Sequence, residues 1–322
     1  MFDVVALREK LIDFAPVETD PAGYPTLKAQ PGGAPCNFLA ALQKYGCSTA
    51  IIGKVGADSF GNLLVQTAAD CGIETRGVRK DASSFTTLAF VTLDATGNRE
   101  FSFARKPGAD TQLTAEEVDY DLIENCRAFH FGTLSLTDKP VRTATQKAVA
   151  YAKEHGKLIS FDPNLRKPLW SSESAAKEQI EWGLHQADII KISDEEVEFL
   201  WGISPQEGAR KLLTEYGASL VYVTLGAKGC YFANRNCTGE IASPAGIHVV
   251  DTTGAGDIFG GSAMSRFLKL NKDPADLTKE ELIAITTFAC CAASLSTQKH
   301  GGITSVVPEA KVQERISLIV QG

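Results

Sequence analysis

Basic residues are in the minority in this chain: 32 Lys and Arg stand against 39 Asp and Glu, a net charge of −7. A surface without excess positive charge cannot displace counterions broadly, which argues against a general nucleic-acid or acidic-membrane binder. Any anionic ligand must be held by a local site. No run of eighteen apolar residues exists, so no membrane span is expected. The start, "MFDVVALREKLIDF", lacks the basic opening, long apolar middle and small-residue cleavage site of a signal peptide, and the cytoplasm is the expected location. Only 5 histidines occur, with no paired spacing, so neither a metal site nor a triad is indicated. The 8 cysteines (36, 47, 71, 126, 230, 237, 290, 291) form no CxxC pair. They read as reduced, mostly buried small hydrophobes, and Cys290 and Cys291, adjacent on a helix, do not face each other. The pattern GxxxxGK[ST] is also missing, which excludes a Walker-type phosphate cradle.

What is present is an ordinary globular composition, 44% apolar and 22% charged over 322 residues. That length suits one large α/β domain or two ordinary ones. No repeat, low-complexity segment or long linker divides it, and residues 1–322 read as one unit. In the second half, apolar strand candidates alternate with helical patterns. "FHFGTLSL" (129–136) precedes a helix over 140–155, "LISFD" (158–162) one over 171–186, and "IIKIS" (189–193) one from Asp194; "LVYVTLG" (220–226) follows a helix over 204–216. Runs apolar on both faces predict a parallel sheet covered by helices on both sides.

The first hundred residues differ. "FTTLAFVTLDATGNREFSF" (85–103) alternates around the turn 94–97, a β-hairpin signature. With "KLIDF" and the extended piece before Gly32 it predicts a small antiparallel sheet from about 9–33 and 85–107, acting as a lid on the α/β body.

The stretch "VVDTTGAGDIFGG" (249–261) carries the chemistry. Gly254 and Gly256 open a helix, so the unpaired N–H groups of its first turn and the positive end of its dipole converge on one small volume. Small residues at 254, 255 and 256 let a phosphate approach the backbone. Asp257 would repel that phosphate unless it had a separate task, and abstraction of a proton from a hydroxyl nucleophile is such a task. The bland alternative is a helix cap after a tight turn.

"DTTGAGD" running into "IFGG" resembles the C-terminal signature of the ribokinase-like (PfkB) carbohydrate kinases, and "PGGAPCN" (31–37) resembles their N-terminal Gly-Gly signature. "FSFARKPGAD", "SFDPNLR", "KISDEE" and "VTLGAKG" are similar to stretches of the fructokinase branch, so the resemblance spans the chain. It implies a three-layer α/β/α fold with a mostly parallel central sheet and an inserted β-lid. It also implies phosphoryl transfer from ATP with Mg2+ and K+, the acceptor being the 6-hydroxyl of fructose, and a homodimer formed through the lid.

By this resemblance Asp257 is the general base, and Gly254, Ala255 and Gly256 form the anion hole. Asp13, Gly33 and Asn37 bind sugar, and Arg105 approaches sugar and phosphate from the lid. Ser193, Thr224, Gly226, Gly229 and Gly256 meet the nucleotide. Glu196 orders Mg2+ through water, and Asp251, Thr253, Gly301 and Ser305 hold K+. His300 reads as a loop residue.

The departures lie in "VVALREKLIDF". Relatives of the fructokinase type usually carry glycine where Arg8 stands and an apolar residue where Lys10 stands. Arg8 is expected to snorkel to solvent; the alternatives are selection of an anionic sugar or damaged activity. Ribose, a nucleoside, 2-keto-3-deoxygluconate or a phosphosugar remain alternative acceptors, and a non-catalytic sugar- or nucleotide-binding regulator is the reading from another class.

Overall fold

The computed structural model describes residues 1–93 and 99–321, so the hairpin turn expected at 94–97 lies outside the described residues. The chain opens with β1 (Phe2–Leu7), β2 (Leu11–Thr19), β3 (Pro25–Gly32), α1 (Ala34–Lys44), β4 (Thr49–Gly56), α2 (Ser59–Asp70), β5 (Glu74–Asp81), β6 (Thr87–Leu93) and β7 (Arg99–Ala104). It continues through α3 (Tyr120–Glu124), β8 (Cys126–Gly132), α4 (Val141–Glu154), β9 (Leu158–Asp162), α5 (Glu173–Leu184), β10 (Ile189–Ser193), α6 (Asp194–Trp201) and α7 (Pro205–Thr214). It ends with β11 (Leu220–Thr224), β12 (Gly229–Asn234), β13 (Thr238–Ala242), α8 (Ala255–Leu270), α9 (Lys279–Ser296) and α10 (Glu309–Gln321).

The large sheet has nine strands in the order β13-β12-β11-β10-β9-β8-β1-β4-β5. All neighbours pair parallel from β11 to β5, while β12 and β13 close one edge antiparallel. The interior strands are apolar on both faces because both are covered. One face packs α1, α8 and α9 through Leu39, Phe259, Phe267 and Phe288; the other packs α4, α5 and α7 through Val149, Ile180 and Leu212. This is the three-layer α/β/α arrangement expected. A four-stranded sheet, order β3-β2-β6-β7, stands beside it, with β2 and β3 antiparallel, β6 and β7 antiparallel, and β2 and β6 parallel. No described helix is long and apolar enough to cross a membrane.

Local chemistry sets the boundaries. Ser193, Ser204 and Thr278 open α6, α7 and α9 with capping boxes completed by Glu196, Glu207 and Glu281. The strand expected over 129–136 stops at Gly132, because the hydroxyls of Thr133 and Ser135 bond the carbonyls of Pro163 and Gly132 and fold the chain into a single tight turn. All eight cysteines are free thiols, Cys290 and Cys291 both buried.

One expectation fails outright. Arg8 does not reach solvent: it is 2% exposed, and Lys10 is fully buried. Both lie in the turn between β1 and β2, under the small sheet and against α1, so no path to water is short enough for either side chain to snorkel. The Nζ of Lys10 lies 3.5 Å from Cys36 Sγ. Arg8 instead occupies the volume left by Gly132, where an added Cβ would lie 2.3 Å from its Cζ.

Candidate active site

Both sheets deliver their strand ends to one cleft of about 1230 Å3. Ligands gather at the carboxyl ends of strands in such open sheets because the helices that follow begin there. The cleft is lined by Asp13, Gly33 and Asn37 on one side, Gly254 to Asp257 on the floor, and Ser193, Glu196, Thr224, Gly226 and Gly229 on the other.

The floor is the start of α8. Gly254 stands at its N-cap with φ +75, and a Cβ there would lie 2.7 Å from the Asn37 amide nitrogen and 3.0 Å from Gly302 Cα. Only glycine satisfies both the backbone angle and that packing. At Gly256 an added Cβ would lie 3.1 Å from Lys191 Nζ. The N–H of Ala255 turns back to Thr252 O at 3.2 Å, while the other first-turn amides have no acceptor inside the helix. A phosphate group placed over this end would meet N–H donors and the positive dipole.

Asp257, in the same turn, is 8% exposed, and its Oδ2 accepts a hydrogen bond from Asn37 Nδ2 at 2.9 Å. Burial and the nearby charge of Asp162 push its carboxyl up to about 6; Arg8, the Asn37 hydrogen bond and Lys191 pull the other way. A carboxylate tuned to this range is ionised at neutral pH yet basic enough to take a proton. Asp13 faces the floor from β2, and burial pushes its carboxyl up to about 7, with the charges of Asp257 and Asp251 adding to the rise and Arg166 opposing it. Gly33 caps α1 with φ +101; a Cβ there would lie 2.9 Å from Glu9 O, so the turn of residues 8–10 sits directly on it.

The nucleotide side is built differently. Thr224 ends β11 with its hydroxyl 3.4 Å from Ile192 O, and Gly226 begins the next turn with φ +56. Gly229, φ +121, is needed for pairing, since a Cβ would lie 2.0 Å from Ile241 O. Glu196 is buried and accepts from Leu165 N at 2.7 Å and Ser193 N at 2.9 Å, so both oxygens already hold the turn. Asp251 joins two loops, accepting from Thr253 N at 2.8 Å and Gly301 N at 3.0 Å. Ser305 is buried beside them and donates to Gly302 O at 2.7 Å. His300 is a loop residue, its side chain 70% exposed and 3.7 Å from Asp251.

Of the expected site residues, Asp251, Gly301 and Ser305 stand behind the cleft lining, and so does Arg105. Its guanidinium is bound to Asp110, to Thr137 Oγ1 at 2.8 Å and to Leu134 O at 2.8 Å, so it braces the wall residue Leu134 from behind. The reason is local: Asp110, five residues on, satisfies it before any ligand arrives.

Two residues of the floor escaped the sequence reading. Lys191 and Asp162 form an ion pair at 3.3 Å beneath Gly256, and burial of the lysine is outweighed by Asp162, Glu196 and Asp257, which hold it protonated. The signal was present: a lysine inside the apolar strand "IIKIS" and an aspartate ending "LISFD". Charges in strands covered on both faces need a reason.

The pfkB family carbohydrate kinase model matches residues 1–310. The chain belongs to the PfkB family of carbohydrate kinases. It is 42% identical over 317 residues to Fructokinase-1 of Zea mays, covering 97% of each chain. Among solved structures it superposes on the fructokinase of Xylella fastidiosa with bound ATP, TM-score 0.90 at 28% identity, covering 99% of this chain and all of the other. A double-mutant fructokinase of Vibrio cholerae O395 carrying fructose, ADP and a potassium ion superposes with TM-score 0.85 at 29% identity, over 97% of this chain and 98% of the other. The family supplies the kinase context that the turn at 254–257 alone left open.

Proposed function

We infer that this protein is an ATP-dependent fructokinase, a single kinase unit over 1–322 whose small sheet, from about 9–33 and 85–107, serves as the lid. The observation that carries the reading is the buried Asp257 carboxylate set in the first turn of α8, hydrogen-bonded by Asn37 and open to the cleft.

The fructose 6-hydroxyl attacks the γ-phosphorus of ATP. As the new O–P bond forms, its proton passes to Asp257, the bond to the β–γ bridging oxygen breaks, and ADP leaves. The Gly254–Gly256 turn steadies charge on the transferring group, and Lys191 adds a cation beneath it. Asp13, Gly33 and Asn37 hold sugar hydroxyls, while Ser193, Thr224, Gly226 and Gly229 line the nucleotide side. Arg105 acts by bracing the wall at Leu134.

The residues present fit the expected ions. With both oxygens already accepting backbone N–H groups, Glu196 suits contact to Mg2+ through water, and bound Mg2+ supplies charge neutralisation on the phosphates. Asp251, Thr253, Gly301 and Ser305 suit a weakly held monovalent ion that ties two loops, K+ in this reading. Among the described residues no group of three His, Cys, Asp or Glu side chains offers a carboxylate-rich metal site.

Cytoplasmic location and a homodimer through the lid complete the proposal. The exposed Val17 and Tyr24 on and beside the lid strands, with Phe85 at 80% exposure, favour the dimer. A monomeric mass by light scattering would remove it. The activity is tested by ADP release with MgATP and K+ across fructose, ribose, adenosine, 2-keto-3-deoxygluconate and fructose 6-phosphate, with Asp257→Ala as control. Turnover with fructose that the variant loses supports the reading; no turnover with any acceptor overturns it in favour of a binding protein.

A further inference from the structure

Three consecutive ionisable residues, Arg8, Glu9 and Lys10, lie buried in the turn that joins the large sheet to the small one. The guanidinium of Arg8 places Nη1 3.3 Å from His130 Nε2 and Nε 3.7 Å from Glu9 Oε2. Among the described residues its Nε and Nη2 have no hydrogen-bond partner, nor has Glu9 Oε2. Burial pushes His130 well below the usual imidazole range, and Arg8 and Lys191 add to the shift. A neutral His130 accepts from Arg8 at Nε2 and donates from Nδ1 to Ser160 Oγ, 3.0 Å away. The histidine therefore brings no charge to the pair.

A guanidinium with unpartnered donors in a dry place must be answered by something beyond hydrogen bonds. The charged groups around the floor supply the reason. Asp257 is faced by Arg8 from the end of β1, Asp13 from β2, Asp162 from β9 and Lys191 from β10, with the neutral Asn37 from α1. Without Arg8, Asp257 and Asp162 would be left with Lys191, and Glu9 with Arg105. Glu9 also links Arg8 to the helix: its Oε1 accepts from Ala34 N at 3.3 Å, at the start of the α1 that carries Asn37.

We propose that Arg8 is a positioning residue for the reaction: as the second buried cation of the floor it holds the Asp257 carboxylate ready to accept a proton, and through Glu9 it fixes the helix end that presents Asn37. Arg8 thus acts on the base from behind the cleft lining. This rests on the assignment of Asp257 as the base of a sugar kinase.

The test compares wild type with Arg8→Met, Arg8→Gly and Arg8→Lys. The readouts are the pH profile of kcat/KM for fructose and the titration of the Asp257 carboxyl by carbon-13 NMR, assigned with Asp257→Asn. Loss of the cation moves both the acid limb and the carboxyl titration upward by about one pH unit, the scale of one lost opposite charge nearby, while Arg8→Lys stays near wild type. A purely structural role lowers kcat/KM equally at every pH and leaves the titration in place, which overturns the proposal. If Arg8→Met fails to fold, Arg8→Gly combined with Gly132→Ala refills the space and gives the same two readouts. Should wild type show no sugar-dependent ADP release, the kinase reading falls, and the NMR titration still decides whether Arg8 controls Asp257.

Discussion

Asn37 and Asp257 stand 220 residues apart in the chain and 2.9 Å apart in space, the amide of one donating to the carboxylate of the other. That bond joins the two glycine-rich signatures into a single floor, because the helices that begin at them, α1 and α8, pack side by side. A hydrogen bond to a charged group contributes about 1.5–3 kcal/mol. Asn37→Leu is therefore expected to lower kcat/KM by roughly 10- to 100-fold and to raise the acid limb of the profile. Steady-state kinetics from pH 5 to 9 check it; an unmoved limb would mean that the bond orients Asp257 without tuning it.

Asp257 itself carries the proton. Asp257→Asn keeps the shape and the contact to Asn37 but cannot accept a proton, so kcat is expected to fall by roughly 100- to 10,000-fold with nucleotide affinity little changed. In wild type the base must be ionised, and with its carboxyl pushed up to about 6, kcat/KM should rise with pH through that value and then level. Activity that continued unchanged below pH 5 would assign the base elsewhere.

The raised carboxyls also cost stability. A carboxyl raised in the folded state binds its proton more tightly there than in the unfolded chain, so stability is lost as pH climbs from about 4 toward the folded value. For Asp13, pushed up to about 7, the cost is absent near pH 4 and full above pH 7. Asp13→Asn should accordingly raise Tm by about 2–4 °C at pH 8 and by much less at pH 5, while weakening sugar binding. Thermal scans at the two pH values read the difference directly.

Much of this was legible in the sequence because its signals are local. The strand and helix alternation of the second half, the hairpin strands and the turn at 254–257 each follow from periodicity and glycine placement over a few residues. The fate of Arg8 was not local: whether it reaches water depends on Gly132 and His130, residues far along the chain that happen to border the same pocket of space. Arg105 shows the same limit, since Asp110 and Leu134 capture it within the wall. Lys191 was visible as a charge inside an apolar strand, yet only the fold shows that it lies beneath Gly256.

Lys191 and Asp162 compensate each other in the interior. Breaking one side leaves an unpaired buried charge, so Lys191→Met should cost about 3–5 kcal/mol of stability, and the pair Lys191→Met with Asp162→Asn should recover most of it. Urea unfolding measures both. The double variant should still lose turnover, because the cation beneath the anion-binding turn is gone; full activity in a stable double variant would confine the pair to a structural role.

Gly132 and Arg8 divide one volume between them. A methyl group at 132 would lie 2.3 Å from the guanidinium, and Arg8, 2% exposed with Glu9 and His130 against it, has little room to move. Gly132→Ala is expected to destabilise the protein by about 1–3 kcal/mol, the range for overpacking a closed interior. In an Arg8→Gly background the same methyl enters empty space, and the penalty should vanish or reverse. Denaturation of the four proteins in this cycle gives the coupling; additive effects would show that the guanidinium does not occupy the space that Gly132 leaves.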